Sequence, residues 1–205
     1  MVHHLLTRLR DARVVPVIRT NNRHAAETAV AWLQGVGLRI FEITMTVPDA
    51  PALIADLAAD PDLLIGAGTV PDLAAAHACL EAGAKFLVTP WVDAALREPC
   101  HDAGAALLLG AFTPSEVRAA LHAGADAVKI FPAASAGGPA HIKALASVFP
   151  GVAFCPTGGV DPGNFKQYLA AGAAFVGMGG ALVDEKRIEA GDRAAIEDAA
   201  RAILA

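Results

Sequence analysis

Ala123-Gly124-Ala125-Asp126-Ala127-Val128-Lys129-Ile130-Phe131-Pro132 carries a pattern that repeats along the chain: a helical stretch, an Ala-Gly-Ala step, then a short apolar run. Glycine just after a helix caps it, because it enters the left-handed region without a Cβ penalty. The same step recurs at Ala82-Gly83-Ala84, Ala103-Gly104-Ala105 and Ala171-Gly172-Ala173. An apolar run that does not alternate with polar residues fits a strand buried on both faces, as in a parallel sheet covered by helices.

Working outward, eight such runs are found, at residues 14–18, 39–44, 63–67, 85–89, 105–109, 126–131, 152–155 and 174–177. Segments with three-to-four-residue apolar spacing lie between them, for example 25–33, 71–81, 115–122 and 164–170. Eight β/α units starting roughly every 20–26 residues predict a (β/α)8 TIM barrel near its minimum size. Residues 2–10 form a short amphipathic pattern before the first strand, expected as a helix closing the N-terminal face, and 193–204 read as the last helix. No linker or low-complexity stretch divides the chain, so residues 1–205 are read as one domain. A doubly wound open sheet is the rival architecture.

Composition narrows the function. Hydrophobic residues make up 55% and charged residues 18%, ample for a large core, while aromatics at 5% leave that core to Ala, Val, Leu and Ile. A net charge of −5 with no basic run argues against nucleic acid. Three cysteines, Cys79, Cys100 and Cys155, have no metal-ligand spacing and read as buried reduced thiols. The N-terminus lacks the pattern of a signal peptide and no window is long enough to span a membrane. A cytoplasmic protein is expected.

In a barrel, working groups lie at the C-terminal ends of the strands and on the loops that follow. Of the five lysines only Lys129 ends a strand; Lys85 begins one, and Lys143, Lys166 and Lys186 fall on helices or a late loop. An amine among apolar side chains loses hydration, which disfavours its charged form. A neutral lysine can attack a ketone and form a Schiff base. Glu42, in Ile40-Phe41-Glu42-Ile43-Thr44, is the one glutamate set late in an apolar strand. A buried carboxylate needs a partner, and Lys129 can supply it. Two readings stand: imine chemistry with a proton-shuttling carboxylate, or one structural ion pair.

Arg19 ends the first strand and is a candidate anion ligand or a loop arginine; Thr69, in Gly66-Ala67-Gly68-Thr69-Val70, offers a hydroxyl after the third. Thr157-Gly158-Gly159 and Gly177-Met178-Gly179-Gly180 follow the seventh and eighth strands, where glycine loops present backbone amides to phosphate. Asp126 opens its strand and reads as structural. The seven histidines lie on helices, their edges or the terminus, so neither a metal nor a cofactor is expected.

With these residues placed, the chain resembles the 2-keto-3-deoxy-6-phosphogluconate (KDPG) / 4-hydroxy-2-oxoglutarate (KHG) aldolase family. The matching segments are Val15-Pro16-Val17-Ile18-Arg19, Phe41-Glu42-Ile43-Thr44, Gly66-Ala67-Gly68-Thr69-Val70, Phe112-Thr113-Pro114-Ser115-Glu116, Val128-Lys129-Ile130-Phe131-Pro132 and Phe154-Cys155-Pro156-Thr157-Gly158-Gly159, in family order. The resemblance implies a metal-free class I aldolase on a (β/α)8 barrel, trimeric, releasing pyruvate and an aldehyde. It implies Lys129 as the Schiff-base lysine and Glu42 as the proton-shuttling carboxylate. Thr69 matches a contact to the substrate's carboxylate end, Phe131 a pocket wall, and Gly158 and Gly159 backbone contacts to a distal phosphate; Pro90, Thr157, Gly179 and Gly180 complete the expected substrate site with Arg19.

Three positions depart from the family pattern. Thr46 stands where phosphogluconate-type members carry arginine, Gly180 where a serine is usual, and Thr89-Pro90-Trp91 replaces Ser-Pro-Gly. Lost charge-assisted and hydroxyl donors weaken phosphate recognition. The expected substrate is therefore a 2-keto-3-deoxy sugar acid: the 6-phosphogluconate compound, a C4 epimer or an unphosphorylated analogue, with 4-hydroxy-2-oxoglutarate the alternative. Two other readings use the same residues: a phosphate-binding isomerase or epimerase with Glu42 as base and Lys129 as clamp, and a non-catalytic barrel.

Overall fold

A computed structural model describes residues 2–205. Eight strands, β1 (Val14–Ile18), β2 (Ile40–Thr44), β3 (Leu64–Gly68), β4 (Phe86–Val88), β5 (Ala106–Ala111), β6 (Ala127–Ile130), β7 (Phe154–Pro156) and β8 (Val176–Met178), alternate with helices. The helices are α1 (Val2–Ala12), α2 (Arg23–Gly35), α3 (Ala50–Ala58), α4 (Leu73–Glu81), α5 (Arg97–Asp102), α6 (Pro114–His122), α7 (Pro139–Val148), α8 (Phe165–Ala170), α9 (Glu185–Glu189) and α10 (Arg193–Leu204), with a 3₁₀ turn at Ala94–Leu96 before α5.

All ladders are parallel and the spatial order is β7-β6-β5-β4-β3-β2-β1-β8. Consecutive strands are neighbours throughout, which a doubly wound sheet, with its reversal of strand order, does not give. Closure between β7 and β8 rests on the bridges Phe154↔Ala173 and Thr157↔Gly177 and on the Ala174 N–H donating to the Phe154 carbonyl at 2.9 Å. The result is the expected (β/α)8 barrel.

Strand boundaries differ from the apolar runs by a residue or two. β7 starts at Phe154 because the Val152 N–H turns back to the Phe149 carbonyl at 3.3 Å. The Ala-Gly-Ala steps behave as expected, with Gly83, Gly104, Gly124 and Gly172 all at positive φ. The Gly124 N–H donates to the Leu121 carbonyl, and the next residue's N–H, on Ala125, to Ala120, which ends α6 and starts the run toward β6.

Apolar side chains divide into two sets. One lies between the strands and the outer helices and includes Leu33, Phe41, Ile54, Leu107, Val128 and Phe165. The other fills the barrel and includes Val15, Ile40, Leu64, Phe86, Leu108, Ala127, Ala153 and Phe175. Leu5 and Leu9 of α1 belong to the interior set, so the amphipathic N-terminal helix plugs that end of the barrel. Inward glycines make room for large neighbours: a Cβ on Gly66 would overlap the Phe86 ring, and one on Gly110 the Pro90 backbone. Space at the other end of the strands is left for the site.

Candidate active site

Side chains alternate across a strand. On β6 the inward set begins with Ala127 in the interior core, continues with Lys129 and is extended by Phe131 just past the strand end. On β2 the same alternation carries Ile40 and then Glu42 inward. The Lys129 Nζ lies 3.7 Å from the Glu42 Oε1, with the two residues only 2% and 3% exposed. That separation brings opposite charges together yet is too long for a hydrogen bond.

Glu42 Oε1 is the one buried side-chain oxygen or nitrogen among the described residues without a hydrogen-bond partner. Leaving a buried acceptor unpaired costs about 1–3 kcal/mol, so the fold holds an oxygen ready for a donor it does not supply. Phe131 stands beside the amine, its ring centroid 5.2 Å from Nζ. Cys155, also inward on β7, is free and buried, and burial with the Glu42 carboxylate nearby pushes its thiol up to about 12. Burial at this point disfavours the thiolate, the form in which a cysteine attacks.

A cavity of about 530 Å³ opens at the C-terminal ends of the strands. Arg19, Thr69, Pro90, Lys129, Phe131, Thr157, Gly158, Gly159, Gly179 and Gly180 all line it. Glu42 is not on its wall: Gly68 faces that carboxylate, and a Cβ there would fall inside it.

Arg19 donates from Nη2 to the Thr69 hydroxyl at 2.8 Å, which fixes the guanidinium over the rim on the β1–β3 side. Thr69 has φ +55°, a conformation a β-branched residue rarely adopts. Strain of that kind costs on the order of 1–3 kcal/mol and is concentrated at functional sites. Gly159 sits so close to Ala134 that a Cβ would overlap the alanine's, and the Ala134 N–H donates to the Gly158 carbonyl at 3.0 Å, so the loops after β6 and β7 are pinned together.

The departures from the family pattern fall in separate places. Thr46 lies outside the main cavity, in an adjoining polar recess of about 400 Å³ formed with Arg19, Thr20, Asn21 and Glu185. Gly180 lines the main cavity with open space where a side chain would stand. The Trp91 indole is 46% exposed and does not line the cavity; its backbone carbonyl accepts from the Thr89 hydroxyl and from the Gly110 N–H.

Val17, Val160, Asp161 and Ala181 also line the cavity and were not singled out by the sequence reading. Val17 follows from the inward alternation Val15, Val17, Arg19 on β1. Asp161 had a weaker signal, a carboxylate two residues after Gly159. Asp126, read as structural, accepts from the Leu107 N–H at 2.8 Å and lies 3.0 Å from the His101 Nε2 at the start of β6. Among the described residues no three His, Cys, Asp or Glu side chains are grouped to hold a metal, and no helix is long and apolar enough to cross a membrane.

Comparisons with known proteins point the same way as this geometry. The family profile described as KDPG and KHG aldolase matches residues 5–199. The 2-dehydro-3-deoxy-phosphogluconate aldolase of Pseudoalteromonas atlantica is 35% identical over 194 residues, 94% of this chain and 90% of that protein. The KHG/KDPG aldolase of Escherichia coli K12 is 35% identical over 92% of this chain and 89% of its own. Among solved structures, the KDPG aldolase of Legionella pneumophila, with pyruvate captured at low pH as a covalent carbinolamine intermediate, superposes with a TM-score of 0.87 at 33% identity, covering 97% of each chain. A chain with these matches and this barrel belongs to the KDPG and KHG aldolase family of carbon–carbon lyases.

Proposed function

We propose that residues 1–205 act as one class I aldolase domain that cleaves a 2-keto-3-deoxy sugar acid of the 6-phosphogluconate type, or its C4 epimer or unphosphorylated analogue, to pyruvate and an aldehyde. The observation that carries this reading is Lys129 on the wall of a cavity open to small molecules, with the buried Glu42 and its unpartnered carboxylate oxygen 3.7 Å behind it. The related aldolase with pyruvate captured as a covalent carbinolamine supports reading Lys129 as the amine that forms an imine here.

Lys129, its proton passed to Glu42 directly or through one water, attacks the C2 ketone to give a carbinolamine, and the proton given back by Glu42 lets the hydroxyl leave as water, leaving a protonated imine. Glu42, directly or through one water, takes the C4 hydroxyl proton. The electrons of the C3–C4 bond flow into the imine, releasing the aldehyde and leaving an enamine. Glu42 returns its proton to C3, and water hydrolyses the imine to free pyruvate and regenerate the amine. General acid–base help of this kind contributes about 10²–10⁴-fold. Arg19 and Thr69 hold the substrate carboxylate, and Phe131 and Pro90 wall the reacting carbons. No metal or organic cofactor enters these steps. The same proposal includes a homotrimer, as the family resemblance implies, working in the cytoplasm, as the sequence pattern implies.

Borohydride reduction in the presence of pyruvate tests the reading. A pyruvate-derived mass addition is expected on the wild-type protein and none on Lys129→Met. Glu42→Gln should still trap pyruvate while losing at least about 100-fold in turnover. An active enzyme that resists trapping would favour the isomerase or epimerase reading, in which Lys129 is only a clamp.

A further inference from the structure

Accepting the aldolase reading, the cavity can be asked what it prefers at the far end of the substrate. A 6-phosphate adds a charge of about −1.5 to −2 near neutral pH. Two cations line the cavity, Lys129 and Arg19. Lys129 is committed to the ketone, and Arg19 is seated on Thr69 on the β1–β3 side. The rim after β7 and β8, formed by Gly158–Asp161 and Gly179–Ala181, contributes no cation and one carboxylate, Asp161.

Of the amides of that rim, the Asp161 N–H is committed, donating to the Asn164 Oδ1 at 3.0 Å, and the Gly163 N–H just beyond it donates to the Asp161 Oδ1 at 2.7 Å. The carboxylate therefore stands beside the glycine amides that would otherwise receive an anion alone. Asp161 Oδ2 takes one donor, the Asn164 Nδ2 at 3.0 Å. An ionised carboxylate has about four acceptor sites, so a substrate hydroxyl can still donate to Asp161, whereas a phosphate dianion has nothing to give it. Beyond Arg19 the adjoining recess adds a second carboxylate, Glu185, and in the recess that shares Gly180 and Ala181 the one cation, Arg187, is paired with Asp184 at 3.7 Å and Asp192 at 3.9 Å.

We propose that Asp161 is a specificity-determining residue, weakening recognition of a 6-phosphate and favouring an uncharged, hydroxyl-bearing tail on the 2-keto-3-deoxy acid. The site then takes unphosphorylated and phosphorylated acids with comparable efficiency, unlike a site built around a phosphate.

The experiment compares kcat/KM for one 2-keto-3-deoxy aldonic acid and its 6-phosphate in the wild type, Asp161→Asn and Ala181→Lys. The wild-type ratio should lie within about tenfold of unity. Asp161→Asn should move it about tenfold toward the phosphate through KM, the size expected for removing one unit charge a few ångströms from a dianion in a water-like dielectric. Ala181→Lys places a cation on the same exposed rim, leaves the Asp161 turn intact and should move the ratio the same way. A wild type preferring the phosphate by about a hundredfold or more, or a ratio that Asp161→Asn does not move even where Ala181→Lys does, overturns the proposal. Borohydride trapping of pyruvate in all three proteins separates the two claims, since an intact adduct with the wrong ratio rejects only the tail preference.

Discussion

Glu42 has its place because the residue facing it on β3 is Gly68, whose missing Cβ leaves the volume the carboxylate occupies. A methyl group there must push the carboxylate away from Lys129, and a displacement of about 1 Å in a catalytic group can cost 10²-fold. Gly68→Ala should therefore lower kcat by about 100-fold while pyruvate trapping at Lys129 persists, because the amine itself is not touched. Steady-state kinetics beside mass spectrometry of the reduced adduct checks this. A variant with unchanged kcat would mean that the Glu42 carboxylate does not move protons. Lys129 and Glu42 are readable without coordinates because a charge inside an apolar strand contradicts its own surroundings, and such conflicts mark sites where function outweighs local consistency. Asp161 is not, because an aspartate before proline in a glycine-rich loop looks like ordinary turn chemistry.

The loop that leads from β5 into α6 is held by its own chemistry. The Thr113 hydroxyl accepts from the Glu116 N–H while the Glu116 carboxylate accepts from the Thr113 N–H and hydroxyl and from the Phe112 N–H, closing a capping box. Those donors hold the Glu116 carboxyl below its usual range. A carboxyl depressed in the folded state adds stability above its unfolded pKa of about 4.3, and that stability is lost as pH falls through the lower folded value. Thr113→Ala should cost about 1 kcal/mol near pH 7. Urea unfolding should also show the gap between wild type and Glu116→Gln shrinking as pH drops from neutrality toward the acid side of that window. A gap that widens on acidification would contradict the cap. Pro114 at the start of α6 and Glu three residues after Thr113 signal this cap in the sequence alone. By contrast, the short α9 has too few turns to display a helical period, and only tertiary contact defines its ends.

The barrel as a whole was legible because eight short apolar runs and recurrent glycine caps repeat the same unit, and β/α repeats with adjacent strands leave few alternatives to closure. What could not be read was which loops meet across the mouth: Thr46 sits only four residues after Glu42 yet opens into a separate recess, and Trp91 contributes its carbonyl rather than its ring. Closure is also uneven. β2 pairs with β3 over five residues, whereas β7 and β8 meet through two isolated bridges. Backbone amides at that junction, Ala174 among them, should exchange with deuterium sooner than those of Glu42 and Lys129. Equal protection would mean the closure is as firm as the ladders. The loops proposed to receive the far end of the substrate spring from this lightly stitched seam, while Lys129 and Glu42 are anchored in continuous fabric. Natural variation or laboratory evolution can therefore retailor what the enzyme accepts at one hem of the mouth and leave the bond-breaking apparatus untouched.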